Sequence, residues 1–119
     1  MDSTAQANAE QAIAAALKKF HQEQQGVAPE TIRAYLVDDM AVVRSSGVYS
    51  PNELQLTGSK EGKKLIQSAR RDLRALTRRT AEAAVAEIVN RHVLRSFFDI
   101  DTRTGDQVEV YIFERQVDP

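Results

Sequence analysis

The residues best suited to chemistry in this sequence are arginines, and they are concentrated in one stretch. Residues 60–79 contain eight Lys or Arg and two acidic residues, in a chain whose formal net charge is −1. Within that stretch Arg70, Arg74 and Arg78 recur at four-residue steps, which on a helix places their guanidinium groups on one face. Guanidinium groups bind carboxylates and phosphates, so this pattern indicates an anionic partner.

The residues alone leave several anionic partners open. Six acidic residues stand against two arginines at the C-terminal end: Asp99, Asp101, Asp106, Glu109, Glu114 and Asp118. The basic stretch could meet them within one chain or in a second copy. A small anion on Arg70, Arg71 or Arg74 is an alternative. Nucleic acid fits less well, because residues 60–79 contain no aromatic side chain for base stacking and the pI is about 6.1.

Other chemistries find little support. The chain has no Cys, which excludes thiol nucleophiles, disulfides and Cys-ligated metals. His21 and His92 have no spacing to a Ser that selects a catalytic set, and we expect both to be structural or solvated, with His21 near helix-end carbonyls. The pairs Asp38-Asp39 and Asp99-Asp101 could bind a hard cation, but a turn and a strand explain them more simply. We expect no enzyme activity and no cofactor.

Composition predicts one domain, residues 1–119. The chain is 42% hydrophobic and 28% charged, which is typical of a soluble globular domain. No apolar run approaches the roughly 18 residues that a membrane span needs, and the start lacks the features of a secretory signal. We therefore expect a cytoplasmic protein.

The first half of the chain predicts a helix, a hairpin and a second, short helix. The N-terminal segment, residues 1–25, is expected to hold a helix over residues 3–24, capped by Ser3 or Thr4, with its apolar side chains on one face. Residues 31–44 read as two strands joined at Asp38-Asp39, since Asp tolerates the left-handed backbone of tight turns. Ser50-Pro51-Asn52-Glu53 has the form of a capping box and begins a helix that extends through Leu56.

A long helical pattern follows, from about Ser59 to Asn90, in which apolar residues recur at three- and four-residue steps. Some thirty residues span roughly 45–50 Å, whereas a compact chain of this length has a radius of gyration near 13–14 Å. The helix must then break near residues 77–80 or protrude and pair with another subunit. We favour the protruding helix, which predicts a homodimer.

The C-terminal part predicts a second hairpin. Strands at 93–100 and 108–113 flank a turn at 102–105, and Val108, Val110 and Ile112 alternate with Glu109 and Tyr111. The predicted fold is α+β, a two-layer domain in which one antiparallel sheet of two hairpins is covered by helices.

A set of short motifs resembles a bacterial protein family. It comprises Gly26, Pro29, Val37-Asp38-Asp39-Met40, Val43-Arg44, Gly47, Ser50-Pro51-x-Glu53, Glu61-Gly62, Leu65 and Arg70-Arg71-x-Leu73, with Asp99-Ile100 and Thr104-Gly105 later in the chain. Together these motifs resemble the MpsC-type family, small soluble proteins named for an association with a sodium-translocating, membrane-potential-generating system. The resemblance covers roughly residues 26–114 and departs from the family pattern at Asn90-Arg91-His92, where a small residue and glycine are usual.

The resemblance implies an accessory or regulatory role beside membrane machinery for cation or inorganic-carbon uptake, and it brings no catalytic residue. The matching positions are Asp38, Asp39, Arg44, Pro51, Glu53, Gly62 and Arg70. We therefore expect a nonenzymatic homodimer whose basic helix meets an acidic surface of its own dimer or of a membrane-transport protein. The candidates for anion or partner binding are Arg44, Arg70, Arg71, Arg74 and Arg78. The alternative is a nucleic-acid or small-anion binding module that uses the helix at 60–79.

Overall fold

The computed structural model describes residues 2–115, so Asp118 of the acidic C-terminal part lies outside the described residues. The elements follow the order α1 (Ser3–Gln25), β1 (Thr31–Val37), β2 (Met40–Ser46), α2 (Pro51–Leu56), α3 (Lys60–Val89), β3 (Val93–Asp101) and β4 (Asp106–Phe113). The strands form one antiparallel sheet in the order β1-β2-β4-β3. The predicted α+β fold with two hairpins is confirmed.

Local chemistry explains where the elements begin and end. Asp38 adopts a left-handed backbone, with φ of 52°, in the turn between β1 and β2. The capping box at α2 forms as predicted: Glu53 N donates to Ser50 Oγ over 3.2 Å, and Ser50 N donates to Glu53 Oε1 over 3.0 Å. The prediction for α1 was wrong by one residue, because Asp2 is the N-cap and accepts a hydrogen bond from Ala5 N.

The helix α3 is continuous, and it neither breaks near residues 77–80 nor protrudes. Its buried residues run from Gly62 to Val89, so it packs along its whole length. The expectation that a helix of roughly 45–50 Å could not fit within one domain assumed a compact shape. The domain is instead elongated, with extents of 47 × 24 × 21 Å. The long helix therefore sets the length of the domain, and its packing within one chain removes the argument that it must pair with another subunit.

The main core lies between one face of the sheet and the helices α1 and α3. It is formed by residues of both helices and all four strands: Ile13, Leu17, Phe20, Ala34, Leu36, Ala41, Val43, Ala81, Val85, Val89, Val93, Tyr111 and Phe113. A smaller cluster of Val48, Ile66 and Ile100 lies at the α2 end of α3. Both long helices cover the same face, and no helix within residues 2–115 covers the other face of the sheet.

The strand β4 faces the opposite way from what hydrophobicity alone would favour. Its buried side chains are Gln107, Glu109, Tyr111 and Phe113, whereas Val108 is 41% exposed. Side chains alternate strictly along a strand, so the polar set enters the interior only because it finds partners there. Those partners are the arginines of α3.

Candidate functional site

The five candidate arginines occupy two different environments. Arg70 and Arg74 are only 3% and 8% exposed, whereas Arg44, Arg71 and Arg78 lie at the surface. Each four-residue step overshoots a helical turn by about 40°, so the third member of the series rotates away from the interior. Arg70 and Arg74 therefore face the interior, whereas Arg78 faces the solvent.

Arg70 joins three parts of the fold through its side chain. Its Nε donates to Glu53 Oε2 over 2.9 Å, and its Nη2 donates to Glu53 Oε1 over 2.6 Å. The remaining nitrogen, Nη1, donates to Gln107 Oε1 over 2.9 Å, and Nη2 also donates to the Val48 carbonyl over 2.8 Å. The bidentate pair with Glu53 links α3 to α2, and the Gln107 bond links α3 to β4. Together these contacts use donors on every nitrogen of the guanidinium group.

Glu53 has two structural roles at once. It closes the capping box with Ser50 and accepts both bonds from Arg70. Burial of this carboxyl would raise its pKa, but the hydrogen bonds from Arg70 and from the Ser50 backbone outweigh burial and lower the pKa below 4.5. Glu53 is therefore ionised at neutral pH and occupied by contacts within its own chain.

Glu109 is the centre of a second buried group. It is 0% exposed; its Oε1 lies 2.8 Å from Arg74 Nη1 and accepts a 2.6 Å hydrogen bond from the Tyr111 hydroxyl. The Arg74 contact is an ion pair without an aligned N–H, since that nitrogen has no hydrogen-bond partner among the described residues. The other oxygen, Oε2, lies 2.8 Å from His21 Nε2. The expectation that His21 contacts helix-end carbonyls was therefore wrong.

The ionised state of Glu109 follows from these neighbours. Burial alone would raise its pKa, but the His21 hydrogen bond, the charge of Arg74 and the Tyr111 hydroxyl together lower the pKa to about 2. Because an ionised carboxylate only accepts hydrogen bonds, the His21 Nε2 in this contact carries the hydrogen. The same environment acts in the opposite direction on Tyr111, where burial and the charge of Glu109 raise the pKa of the phenol well above 10.0.

Aromatic rings fix the position of the Arg74 guanidinium. Its Cζ lies 5.5 Å from the centre of the Phe20 ring and 4.8 Å from that of the Phe98 ring. Cation–π contacts of this kind are stronger where water is excluded. Arg74 is thus held by α1, β3 and β4 together, and binding an external anion would require it to leave Glu109.

Two of the surface arginines also pair within the chain. Arg71 Nη2 donates to Asp99 Oδ1 over 2.9 Å, and Arg44 Nη2 donates to Asp106 Oδ2 over 3.1 Å. The Arg71–Asp99 pair joins α3 to the hairpin of β3 and β4. The buried pair of Arg74 with Glu109 joins the same two elements. Arg78 is exposed and makes no ion pair within residues 2–115. Pairing of the basic stretch with the chain's own carboxylates is thus observed for three of its members: Arg70, Arg71 and Arg74.

An open cleft of about 540 Å³ lies beside the β3–β4 turn. Its charged lining consists of Arg44, Arg103, Asp99, Asp101 and Asp106. Each of the two arginines is already paired with one of these carboxylates. The cleft therefore offers no excess of positive charge to a small anion. Within the part of the chain that the structure describes, no three His, Asp or Glu side chains come together as metal ligands, and no helix is long and apolar enough to cross a membrane.

The uncovered face of the sheet is a surface that the sequence motifs did not single out. Its side chains form rows that cross all four strands, in the order β1, β2, β4, β3. The middle row is Tyr35, Val42, Val110 and Phe97, with Val37, Met40, Ile112 and Arg95 on one side and Arg33, Arg44, Val108 and Asp99 on the other. Phe97 is 57% exposed, and the other edge aromatic, Tyr35, is 42% exposed.

A signal for this face was present in the sequence. Apolar residues occupy both alternating sets of positions in β2 and β4, as in Val42-Val43 and Val110-Tyr111. A strand with one solvated face normally reads as apolar alternating with polar residues. Apolar residues on both faces indicate a strand that is covered on both sides or that offers one side to a partner.

Comparison with known proteins now identifies the family. A family model described as "Na+-translocating membrane potential-generating system (MpsC)" matches residues 5–115. The chain belongs to the MpsC family. The match includes α1, whereas the motifs in the sequence indicated a resemblance only from residue 26 onward.

Two proteins of Bacillus subtilis strain 168 are similar to this MpsC-family chain over most of their length. "Uncharacterized protein YrhF" is 27% identical over 103 residues, covering 86% of this chain and 84% of the relative. "Uncharacterized protein YbcI" is 24% identical over 102 residues, covering 86% and 82% respectively. No solved structure matches the chain.

The structure explains several positions at which the sequence resembles the MpsC family. Glu53 and Arg70, which are 17 residues apart, pair with each other. Gly62 lies where a Cβ atom would come within 1.9 Å of the Leu56 carbonyl oxygen, so α2 and α3 can meet closely only if a glycine stands there. Asp38 forms the hairpin turn. These positions build the fold, and Arg44 is the matching position that reaches the open sheet face.

Proposed function

We propose that this protein is a nonenzymatic accessory protein of a sodium-translocating, membrane-potential-generating system, and that it acts as a homodimer beside a membrane-transport protein. Membership of the MpsC family supports the link to that system. The observation that carries the proposal is the uncovered apolar face of the sheet, because it is a surface suited to binding protein chains.

The shape of this face favours a protein partner over a small molecule. Small-molecule sites are concave and enclose most of their ligand. The open face is instead a row of side chains across four strands, with exposed Tyr35, Val37, Phe97 and Val108 among half-buried neighbours. Contiguous exposed apolar patches of this kind mark interaction surfaces in soluble proteins.

The basic helix supports the proposal in a different way from the one its sequence indicated. The carboxylates that α3 meets lie on the β3–β4 hairpin of the same chain: Arg71 pairs with Asp99, and Arg74 pairs with Glu109. Arg70 is held by Glu53. These contacts leave fewer arginines for nucleic acid or a small anion, so the open sheet face is the better-supported surface for binding.

The test is a complementation experiment in a bacterium from which the gene has been deleted. Sodium-dependent membrane potential is measured with a voltage-sensitive dye after complementation with the natural chain, Val108→Lys or Leu76→Lys. Both substitutions place a lysine at an exposed apolar position, on the sheet face in the first case and on α3, where Leu76 is 84% exposed, in the second.

We expect deletion to lower the sodium-dependent potential, and Leu76→Lys to restore it. Val108→Lys should fail to restore it, because a charge on the sheet face opposes burial against a partner. Protein levels are compared by immunoblot, so that a loss of folding is not read as a loss of function. A deletion that leaves the sodium-dependent potential unchanged would refute the accessory role.

A further inference from the structure

We propose that the open sheet face docks onto the same face of a second copy of this chain. This inference rests on the homodimer of the proposed function, and it names the surface through which that dimer forms. The core of the contact is the row of Tyr35, Val42, Val110 and Phe97. Two sheets packed in this way bury their facing side chains in a layer about 10 Å thick.

The charges around the face suit a copy of itself. The apolar rows are bordered by Arg33 on the edge strand β1, and by Arg95 and Asp99 in the two outer rows of the other edge strand, β3. Within the chain, Arg44 pairs with Asp106 and Asp99 with Arg71. A rim with both signs of charge is self-complementary, whereas an anionic membrane or nucleic acid would favour a rim that is positive throughout.

Asp99 already pairs with Arg71 of its own chain through Oδ1. Either simple twofold axis in the plane between the sheets brings a second arginine, from the other copy, to this carboxylate. With the axis along the strands, β1 of one copy lies over β3 of the other, so Arg33 faces Asp99 and Tyr35 faces Phe97 of the second copy. With the axis across the strands, each strand lies over itself and the rows are reversed, so Arg95 faces Asp99. Both arrangements place Val42 and Val110 in the centre, where apolar residues belong.

The size of the face predicts a dimer that dissociates. Four strands spaced by about 4.8 Å and seven residues rising about 3.3 Å each define a plane of roughly 400 Å² per copy. Two such faces bury roughly 800 to 1,000 Å², which is at the lower end of specific interfaces. We therefore expect monomer and dimer to exchange in the micromolar range of protein concentration.

The edge strand β1 is poorly suited to pairing with a strand of a second copy, which favours face-to-face docking. The backbone of Leu36 in that edge strand is already bound by α1: Leu36 N donates to Glu10 Oε2 over 2.8 Å, and the Leu36 carbonyl accepts from Gln6 Nε2 over 3.4 Å. These side chains occupy groups that a further strand would need. The apolar face has no comparable cover from any helix in the part of the chain that the structure describes.

Sedimentation velocity over 1–200 µM protein tests the dimer directly. Phe97→Lys and Val108→Lys should each raise the dimer dissociation constant about tenfold or more, since a lysine replaces an apolar side chain at the contact. Leu76→Lys, on the exposed face of α3, should leave it within about twofold of the natural chain. Urea unfolding of each variant checks that the fold is retained.

Chemical crosslinking tests which faces meet, and the absence of Cys makes the chain well suited to it. Tyr35→Cys and Phe97→Cys are made singly and together, and treated with a short bismaleimide. Within one sheet these positions lie about 14 Å apart, three strand spacings, which is too far for such a reagent to bridge. A crosslink in the double variant alone indicates the axis along the strands, and crosslinks in the single variants indicate the axis across them; both outcomes support the proposal.

Two results would overturn it. The first is a monomer at 200 µM, or a dimer whose dissociation constant is unchanged by both sheet-face lysines. The second is efficient crosslinking of a Leu76→Cys variant together with none at positions 35 and 97, which would assign the contact to α3. If the chain is monomeric but Val108→Lys still fails in the membrane-potential assay, the accessory role stands and the sheet face binds a different protein.

Discussion

Arg74 Nη1 lies 2.8 Å from Glu109 Oε1, between two side chains that are almost completely excluded from solvent. The two residues belong to α3 and β4, so the contact crosses from the helical layer to the sheet. His21 of α1 contacts the same carboxylate. Three elements are therefore joined at one ionised group in the interior, and an uncompensated charge remains if either main partner is removed.

Arg74→Ala should lower the free energy of unfolding by about 3–5 kcal/mol, because the change leaves the Glu109 carboxylate buried without its cation. Urea denaturation followed by circular dichroism measures the loss. Arg78→Ala is the matched control, since Arg78 is exposed one turn further along the same helix and its change should fall within about 0.5 kcal/mol. Equal effects of the two substitutions would contradict a structural role for the Arg74 pair.

The stability of the fold should fall in acid through Glu109. Folding lowers the pKa of this carboxyl from its ordinary value of 4.5 to about 2, so the unfolded chain binds more protons between those values. The contribution is fully present above pH 4.5 and is lost as the pH falls through the folded pKa. It amounts to about 3 kcal/mol.

The measurement for this prediction is the urea midpoint at pH 7, 5, 4 and 3. Glu53 and Asp99 also have lowered pKa values and contribute in the same direction. The decisive comparison is therefore between the natural chain and Glu109→Gln, which cannot titrate at that position. We expect the variant to be less stable at neutral pH but to show a shallower fall in acid. Parallel curves would mean that Glu109 is not a major source of the acid sensitivity.

The elements and their order could be predicted because their signals are local. Ser59 accepts a hydrogen bond from Gly62 N at the start of α3, and the left-handed Asn90 ends the helix, both within a few residues of the boundary. The turn at Asp38 and the capping box at Glu53 depend likewise on near neighbours. Short-range chemistry of this kind is readable from one sequence.

The interior could not be predicted in the same way, because its partners are far apart in the sequence. His21 and Glu109 are 88 residues apart, and Arg70 and Gln107 are 37 residues apart. Nothing local indicates that Glu109 should face inward while the apolar Val108 faces out. That orientation depends on where α3 lies over the sheet, which decides where the buried arginines can meet carboxylates.

Gly62→Ala should destabilise the protein by about 1–3 kcal/mol or more, through overpacking where α2 approaches α3. The added Cβ would lie 1.9 Å from the Leu56 carbonyl oxygen, which is a backbone atom and cannot rotate away. Helix propensity alone predicts the opposite sign, since alanine is favoured over glycine by about 1 kcal/mol within a helix. The direction of the change therefore tests the close approach itself.

Gly58→Ala is the control for this substitution. A Cβ atom at Gly58 would meet only the Gln55 carbonyl oxygen, at an ordinary 3.8 Å. We expect its thermal midpoint to stay close to that of the natural chain, while that of Gly62→Ala falls. A Gly62→Ala variant that is as stable as Gly58→Ala would show that the two helices do not approach as closely as described.

Nucleic acid should bind weakly and without a role for the buried arginines. Arg70 and Arg74 are paired inside the fold and Arg71 pairs with Asp99, which halves the charge that the basic stretch can offer to phosphates. The remaining basic residues of that stretch, outside the core, are Lys60, Lys63, Lys64, Arg78 and Arg79. We expect a dissociation constant for labelled DNA no tighter than about 10⁻⁴ M at physiological salt, the weak end of nonspecific binding. Fluorescence anisotropy at 50 and 200 mM salt measures it. Micromolar binding that weakens steeply with salt and is lost in Arg71→Ala with Arg78→Ala would instead favour the nucleic-acid alternative, because phosphate contacts are the salt-sensitive part of such complexes.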